Sequence, residues 1–148
     1  MDLENIKQHI DKLKHADWQR LFDLIPRIEK NRKFGENLLP IEDKEGNIQI
    51  SPMMPEKIVH DFTDIMYELD LVIGFNWSAW DEGRKIASEN KYENLDTITL
   101  LKLLTAFIRN DRFCDGVLVE LFEDGSILKI LKELKGNINK LKNTNSYE

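Results

Sequence analysis

Apolar residues along this chain recur mostly at helical spacing. Leu3, Ile6, Ile10 and Leu13 stand at i, i+3, i+7 and i+10, which predicts a first amphipathic helix. Asp17 is placed to cap a second, in which Trp18, Leu21, Phe22, Ile25 and Ile28 share a face, with Pro26 expected to kink or interrupt it. The helical pattern breaks over residues 34–55. Two short extended pieces, near 38–41 and 47–50, flank the turn signal Glu45-Gly46-Asn47 and predict a small β-hairpin. Pro55 then opens a helix with Ile58, Val59, Phe62, Ile65, Met66 and Leu69 in one stripe.

Residues 71–77 read as a short apolar connector. Ser78 followed by Asp81 is a capping signal for a helix running to about Glu89, and Asp96 is placed to cap the next. In that helix Ile98, Leu100, Leu101, Leu103, Leu104, Phe107 and Ile108 cover more than one face, so it belongs at the centre of the domain. Residues 123–126 permit either a hairpin turn or a helix ended by Gly125, followed by one capped by Ser126 and ended by Gly136. The spacing of Ile127, Ile130, Leu131 and Leu134 favours helices. The fold class read from the pattern is mainly α, a single-domain helical bundle with one small β-hairpin near residues 38–50. Residues 1–136 are expected to form the globular domain and residues 137–148 a polar, flexible C-terminal tail.

At 148 residues, 41% of them hydrophobic, the chain is long enough for one domain with a real core. No run approaches the roughly 20 apolar residues that span a bilayer, and the polar N-terminus lacks a signal core. A soluble, cytoplasmic protein without membrane partners is expected. The single cysteine, Cys114, excludes an internal disulfide framework and a multi-cysteine zinc motif. A net charge of −6 opposes general attraction to nucleic acid, so no such partner is expected. The charge is uneven: residues 129–148 carry five lysines and two glutamates, and Lys129, Lys132 and Lys135 read as a solvated helix face.

The familiar catalytic signatures are absent: no phosphate-binding glycine loop, no dinucleotide fingerprint, no H-E-x-x-H and no G-x-S-x-G. His9 and His15 do not share a helical face. His60 has Glu56 and Asp64 one turn away on either side, but a solvated face is the simpler reading, and neither metal nor cofactor is expected. Cys114 has arginines nearby to favour a thiolate, yet no neighbouring histidine to act as base; beside Phe113 it reads as a small buried apolar group. Asp111 and Asp115, one turn apart, read as partners for the arginines rather than as an acid/base pair.

Two segments stand out. Phe75, Trp77 and Trp80 cluster just before a helix N-terminus, where free N–H groups favour anions and indole faces stack on planar rings. The other is residues 108–116, where Arg109 and Arg112 are suited to grip a carboxylate or phosphate. Together with Arg84, and supported by Asp111, Phe113 and Asp115, these residues make a candidate pocket for an anionic, nucleotide-like molecule. The competing reading has the tryptophans as core anchors and the arginines spent on helix ends or on Asp111 and Asp115.

Residues 74–80, 103–116 and 122–134 together resemble an uncharacterised domain-of-unknown-function family of small bacterial and phage-type proteins. The pattern is F-x-W-x-x-W, then R-x-[DE]-R-F-x-x-G, a glycine, and a closing I-L-x-x-L. Here these are Phe75, Trp77, Trp80, Arg109, Asp111, Arg112, Phe113, Gly116, Gly125, Ile130, Leu131 and Leu134. Pro26 fits the family's opening, and the likeness spans roughly residues 17–135. It implies that the two segments belong to one structural unit, but no activity. The leading expectation is a small binding protein. The alternatives are a protein-interaction or inhibitor module, such as a phage or mobile-element accessory protein, and a hydrolase using Asp111, Asp115 or His60.

Overall fold

The computed structural model describes residues 3–31, 33–37, 41–42, 44–49 and 53–145. Among them are eight α-helices and four short strands, in agreement with a mainly α domain carrying a small antiparallel ribbon. The helices are α1 (Leu3–Lys12), α2 (His15–Phe22), α3 (Leu24–Lys30), α4 (Lys57–Glu68), α5 (Asp81–Glu89), α6 (Thr97–Asp111), α7 (Val117–Glu123) and α8 (Ser126–Asn145). A 3-10 turn, Trp77–Ala79, precedes α5.

Asp17 does not begin α2, which starts at His15. It is the third helical residue, and its carboxylate accepts the Lys14 backbone N–H at 2.9 Å, so it caps from inside the first turn. The interruption expected from Pro26 falls one turn before it: α2 ends at Phe22 and α3 follows Asp23. Pro26 lies in the first turn of α3, where its missing N–H has no intrahelical partner to lose. Pro55 ends a strand, and α4 follows Glu56 rather than opening at the proline.

The strands β1 (Gly35–Asn37) and β4 (Met53–Pro55) pair antiparallel, as do β2 (Ile41–Glu42) and β3 (Ile48–Gln49). Every pair in both ladders is centred on position 45, so they share one register. Pairing therefore reaches further than the expected 38–50; residues 38–40 and 50 themselves lie outside the described residues.

The stripe on α4 is buried through Ile58, Val59, Phe62, Met66 and Leu69, and all seven apolar positions named on α6 are buried. α6 packs against α5, α7, α8 and the 3-10 turn, while α8 packs against α2, α3, α6 and α7. One contiguous core results. Gly125, at φ 86°, divides α7 from α8 in the left-handed conformation that glycine adopts without penalty. Gly136 does not end α8, which runs on to Asn145. A glycine inside a helix costs about 1 kcal/mol relative to alanine. Here Ile138 is buried beyond it, and the Asn137 amide donates to the Leu95 carbonyl at 2.9 Å. Lys129, Lys132 and Lys135 are exposed, as a solvated face requires.

The buried hydroxyl of Tyr92 donates to Ser126 at 3.1 Å, tying the α5–α6 connection to the start of α8. Burial pushes this phenol above its ordinary range, against the opposing effect of the Ser126 hydrogen bond.

Candidate functional site

The C-terminal half of α6 builds the site. Leu103, Ala106, Phe107 and Asn110 stand at i, i+3, i+4 and i+7 and line a pocket of about 270 Å³. Trp77, Trp80 and Arg84 close it from the 3-10 turn and α5. Arg109, Arg112 and Phe113 lie on the adjacent flank and line a second pocket of about 290 Å³, together with Ile73, Phe75 and Trp77. Trp77 is common to both. The residues singled out from the sequence are thus divided: Trp77, Trp80 and Arg84 on one side, and Trp77, Arg109, Arg112 and Phe113 on the other. Successive residues of a helix point about 100° apart, and that places Arg109 and Asn110 on different sides of Trp77.

The junction after α6 satisfies its own backbone. The Asn110 carbonyl accepts N–H groups from Phe113 at 3.0 Å and Cys114 at 2.9 Å, and the Arg109 carbonyl accepts from Arg112. Gly116, at φ 89°, permits the turn into α7. Asp111 accepts the Leu118 N–H at 3.0 Å, which caps α7. The expected pairing of Asp111 with the arginines is therefore replaced by a helix cap. Asp115 is exposed on the same turn.

With the carbonyls accounted for, the arginines differ in what they do. Arg112 donates to the Tyr67 hydroxyl at 3.0 Å, with its guanidinium carbon 6.0 Å from the centre of that ring. Arg84 donates to the Ser78 carbonyl and lies 3.7 Å from Asp81. Arg109 is partly buried, and its guanidinium makes no hydrogen bond or ion pair among the described residues. Of the three arginines it is the one whose donors are all unspent among the described residues.

Neither indole of the motif is a fully buried core anchor. Trp77 stacks on Phe113 with centroids 6.0 Å apart, and Phe113 is itself 77% exposed. Trp80 meets Phe75 edge-on at 5.5 Å, and the Lys102 ammonium lies 5.7 Å from its ring centre. Ser78 is not a cap: its hydroxyl bonds the Asn76 side chain at 3.1 Å, and α5 begins after Trp80. The first turn of α5 carries Asp81 and Glu82, whose charges already complement the positive helix end. An anion is therefore better placed at Arg109 than at that terminus.

Cys114 is exposed, not buried as expected. His60, Glu56 and Asp64 are exposed on or beside α4, and His60 lines neither pocket. Among the described residues no group of three or more His, Cys, Asp or Glu side chains is arranged to hold a metal ion.

Sequence reasoning missed four residues that shape the site. Gly83 is buried under Trp80, where a β-carbon would come within 2.2 Å of the indole. A lone glycine inside a helical pattern is the signal for such a close approach. Tyr67 holds Arg112, and Asn110 lines the α5–α6 pocket; both lie on helical faces that the wheel would have shown. Thr105 is fully buried on α6: its hydroxyl accepts the Ile73 N–H at 3.0 Å and faces the Leu71 carbonyl at 3.5 Å. That hydroxyl pins the connector that carries Trp77, and no sequence pattern announces it. Thr105→Val keeps the shape but removes the acceptor. A loss of about 1–2 kcal/mol is expected in urea melts, since a buried N–H is left unpaired. An unchanged midpoint would show that Ile73 is satisfied elsewhere.

Comparison with protein families matches residues 13–140 to a family of unknown function, DUF6508. That is most of the chain, and the protein belongs to this family. Comparisons with curated proteins and with solved structures returned no match. No helix among the described residues is long and apolar enough to cross a membrane.

Proposed function

We propose that the protein is a binding domain for a planar, anionic, nucleotide-like small molecule held across Trp77. The observation that carries this reading is the partner-free guanidinium of Arg109 beside an indole that walls two pockets. Arginine grips carboxylates and phosphates through two parallel donors, and an indole face stacks on a flat ring. Arg112 is preoriented by Tyr67 and adds charge without being wholly available. Binding is favoured over catalysis because Asp111 is committed to capping α7, and His60 lies outside both pockets.

A thermal-shift panel of nucleotides and planar carboxylates tests the reading. A ligand at a hundred times its Kd stabilises by about 2.7 kcal/mol, which for a domain of this size raises Tm by roughly 5–10 °C. The shift should vanish in Arg109→Gln and shrink only partly in Arg112→Gln. A flat response across the whole panel overturns the proposal.

A second reading, an interaction or inhibitor module of the kind a phage or mobile element carries as an accessory, is favoured by Phe113. A phenyl ring 77% exposed beside two arginines has the composition of an interface anchor. Under that reading Phe113→Ser abolishes partner binding and no small molecule shifts the wild-type Tm; under the first the wild type shows the ligand-induced shift and Arg109→Gln removes it.

A further inference from the structure

Two adjacent polar side chains at the end of α6 have no partner among the described residues: Arg109 and Asn110. They serve opposite sides of Trp77. Asn110 stands on the apolar α5–α6 pocket, among Leu103, Phe107 and the two indoles. A carboxamide presents one acceptor and a pair of donors side by side. Half-buried on an apolar lining and without a protein partner among the described residues, it is left to solvent and is open to a ligand edge of matching pattern. At about 270 Å³ the pocket falls just short of the roughly 300–1,000 Å³ typical of sites for whole drug-sized ligands, so it takes the ring of a ligand rather than all of it.

We propose that Asn110 is the specificity residue of this site and that the ligand is an adenine nucleotide. Its base sits in the α5–α6 pocket, and its phosphate reaches past Trp77 to Arg109. The inference rests on the binding reading above and deepens it. Adenine is chosen because its edge offers an adjacent amino donor and ring acceptor, the pattern an asparagine amide matches with two bonds. The indoles supply flat apolar surface for the base, and the free guanidinium supplies the counter-charge for the phosphate.

Calorimetric titrations with adenosine, adenosine monophosphate, guanosine monophosphate and benzoate separate the parts. Wild-type protein should prefer adenosine monophosphate to guanosine monophosphate by about tenfold or more. Asn110→Leu should weaken adenosine and adenosine monophosphate by a similar factor, about tenfold. Arg109→Gln should weaken the monophosphate alone. Asn110→Asp, which keeps the size but replaces the donors by an acceptor, gives the same result as Asn110→Leu and covers the case in which leucine disturbs the fold. Equal affinity for the two monophosphates, or undiminished binding by both Asn110 variants, overturns the inference. If benzoate binds through Arg109 while adenosine and its monophosphate do not, the adenine assignment fails and the broader reading stands. If none of the four binds, both fail.

Discussion

Replacing Phe122 by alanine is expected to cost about 3–5 kcal/mol and to lower Tm by roughly 10 °C or more. Phe122 is only 2% exposed, on the short helix α7. Its ring is 5.5 Å from Phe62 of α4 in an edge-on contact and 5.4 Å from Phe34 at the foot of the β-ribbon. One side chain thus joins three parts of the chain that are distant in sequence. Truncation removes both aromatic contacts and opens a cavity whose walls belong to separate elements and cannot all close inward. Thermal and urea melts measure the loss. A cost below about 1 kcal/mol would mean that α7 repacks freely and that the aromatic trio does not hold the ribbon to the helices.

Gly83→Ala should destabilise by about 2–3 kcal/mol, although glycine to alanine within a helix ordinarily stabilises by about 1 kcal/mol. The reversal comes from Trp80. Three of its ring atoms lie within 2.7 Å of where the new β-carbon would stand. These are atoms of a rigid indole, so relief requires the whole ring to swing off Phe75 and Lys102. That movement also removes one wall of the α5–α6 pocket. Denaturant melts should show the loss, and tryptophan fluorescence should shift as the indole is exposed. A variant more stable than wild type would show that Trp80 has room to move and that the pocket wall is soft.

The core was legible because burial has a period. On α4 and α6 the apolar positions recur at helical spacing, and the structure buries them as read except for Ile65, which is half-buried. Boundaries were legible only to within a turn. Pro26 announced the division of α2 from α3, which falls at Asp23, whereas Gly136 looks like a stop and is carried through by Ile138 beyond it. The outer strands contain Gly35, Asn37 and Pro55, all poor strand formers, so register with the inner pair defines them rather than propensity. At the site, the sequence brought the right segments together but could not apportion the arginines. Their fates depend on Tyr67, Ser78 and Asp81, two of which lie on other elements from the arginine they bind. Thr105 stayed hidden because it answers to Ile73 and Leu71, neighbours that only the folded chain supplies.

Trp77 forms a wall for two pockets at once, so the two spaces are not independent. A group that tilts the indole from one side enlarges or narrows the space on the other. Thermodynamic reciprocity then requires any such effect to run equally in both directions. Stacking on the exposed Phe113 gives that indole an outward-facing companion, so its emission offers an intrinsic report of either side being filled. Titrations at one pocket are therefore best read with the other kept in view, since a measured affinity here is a property of the pair.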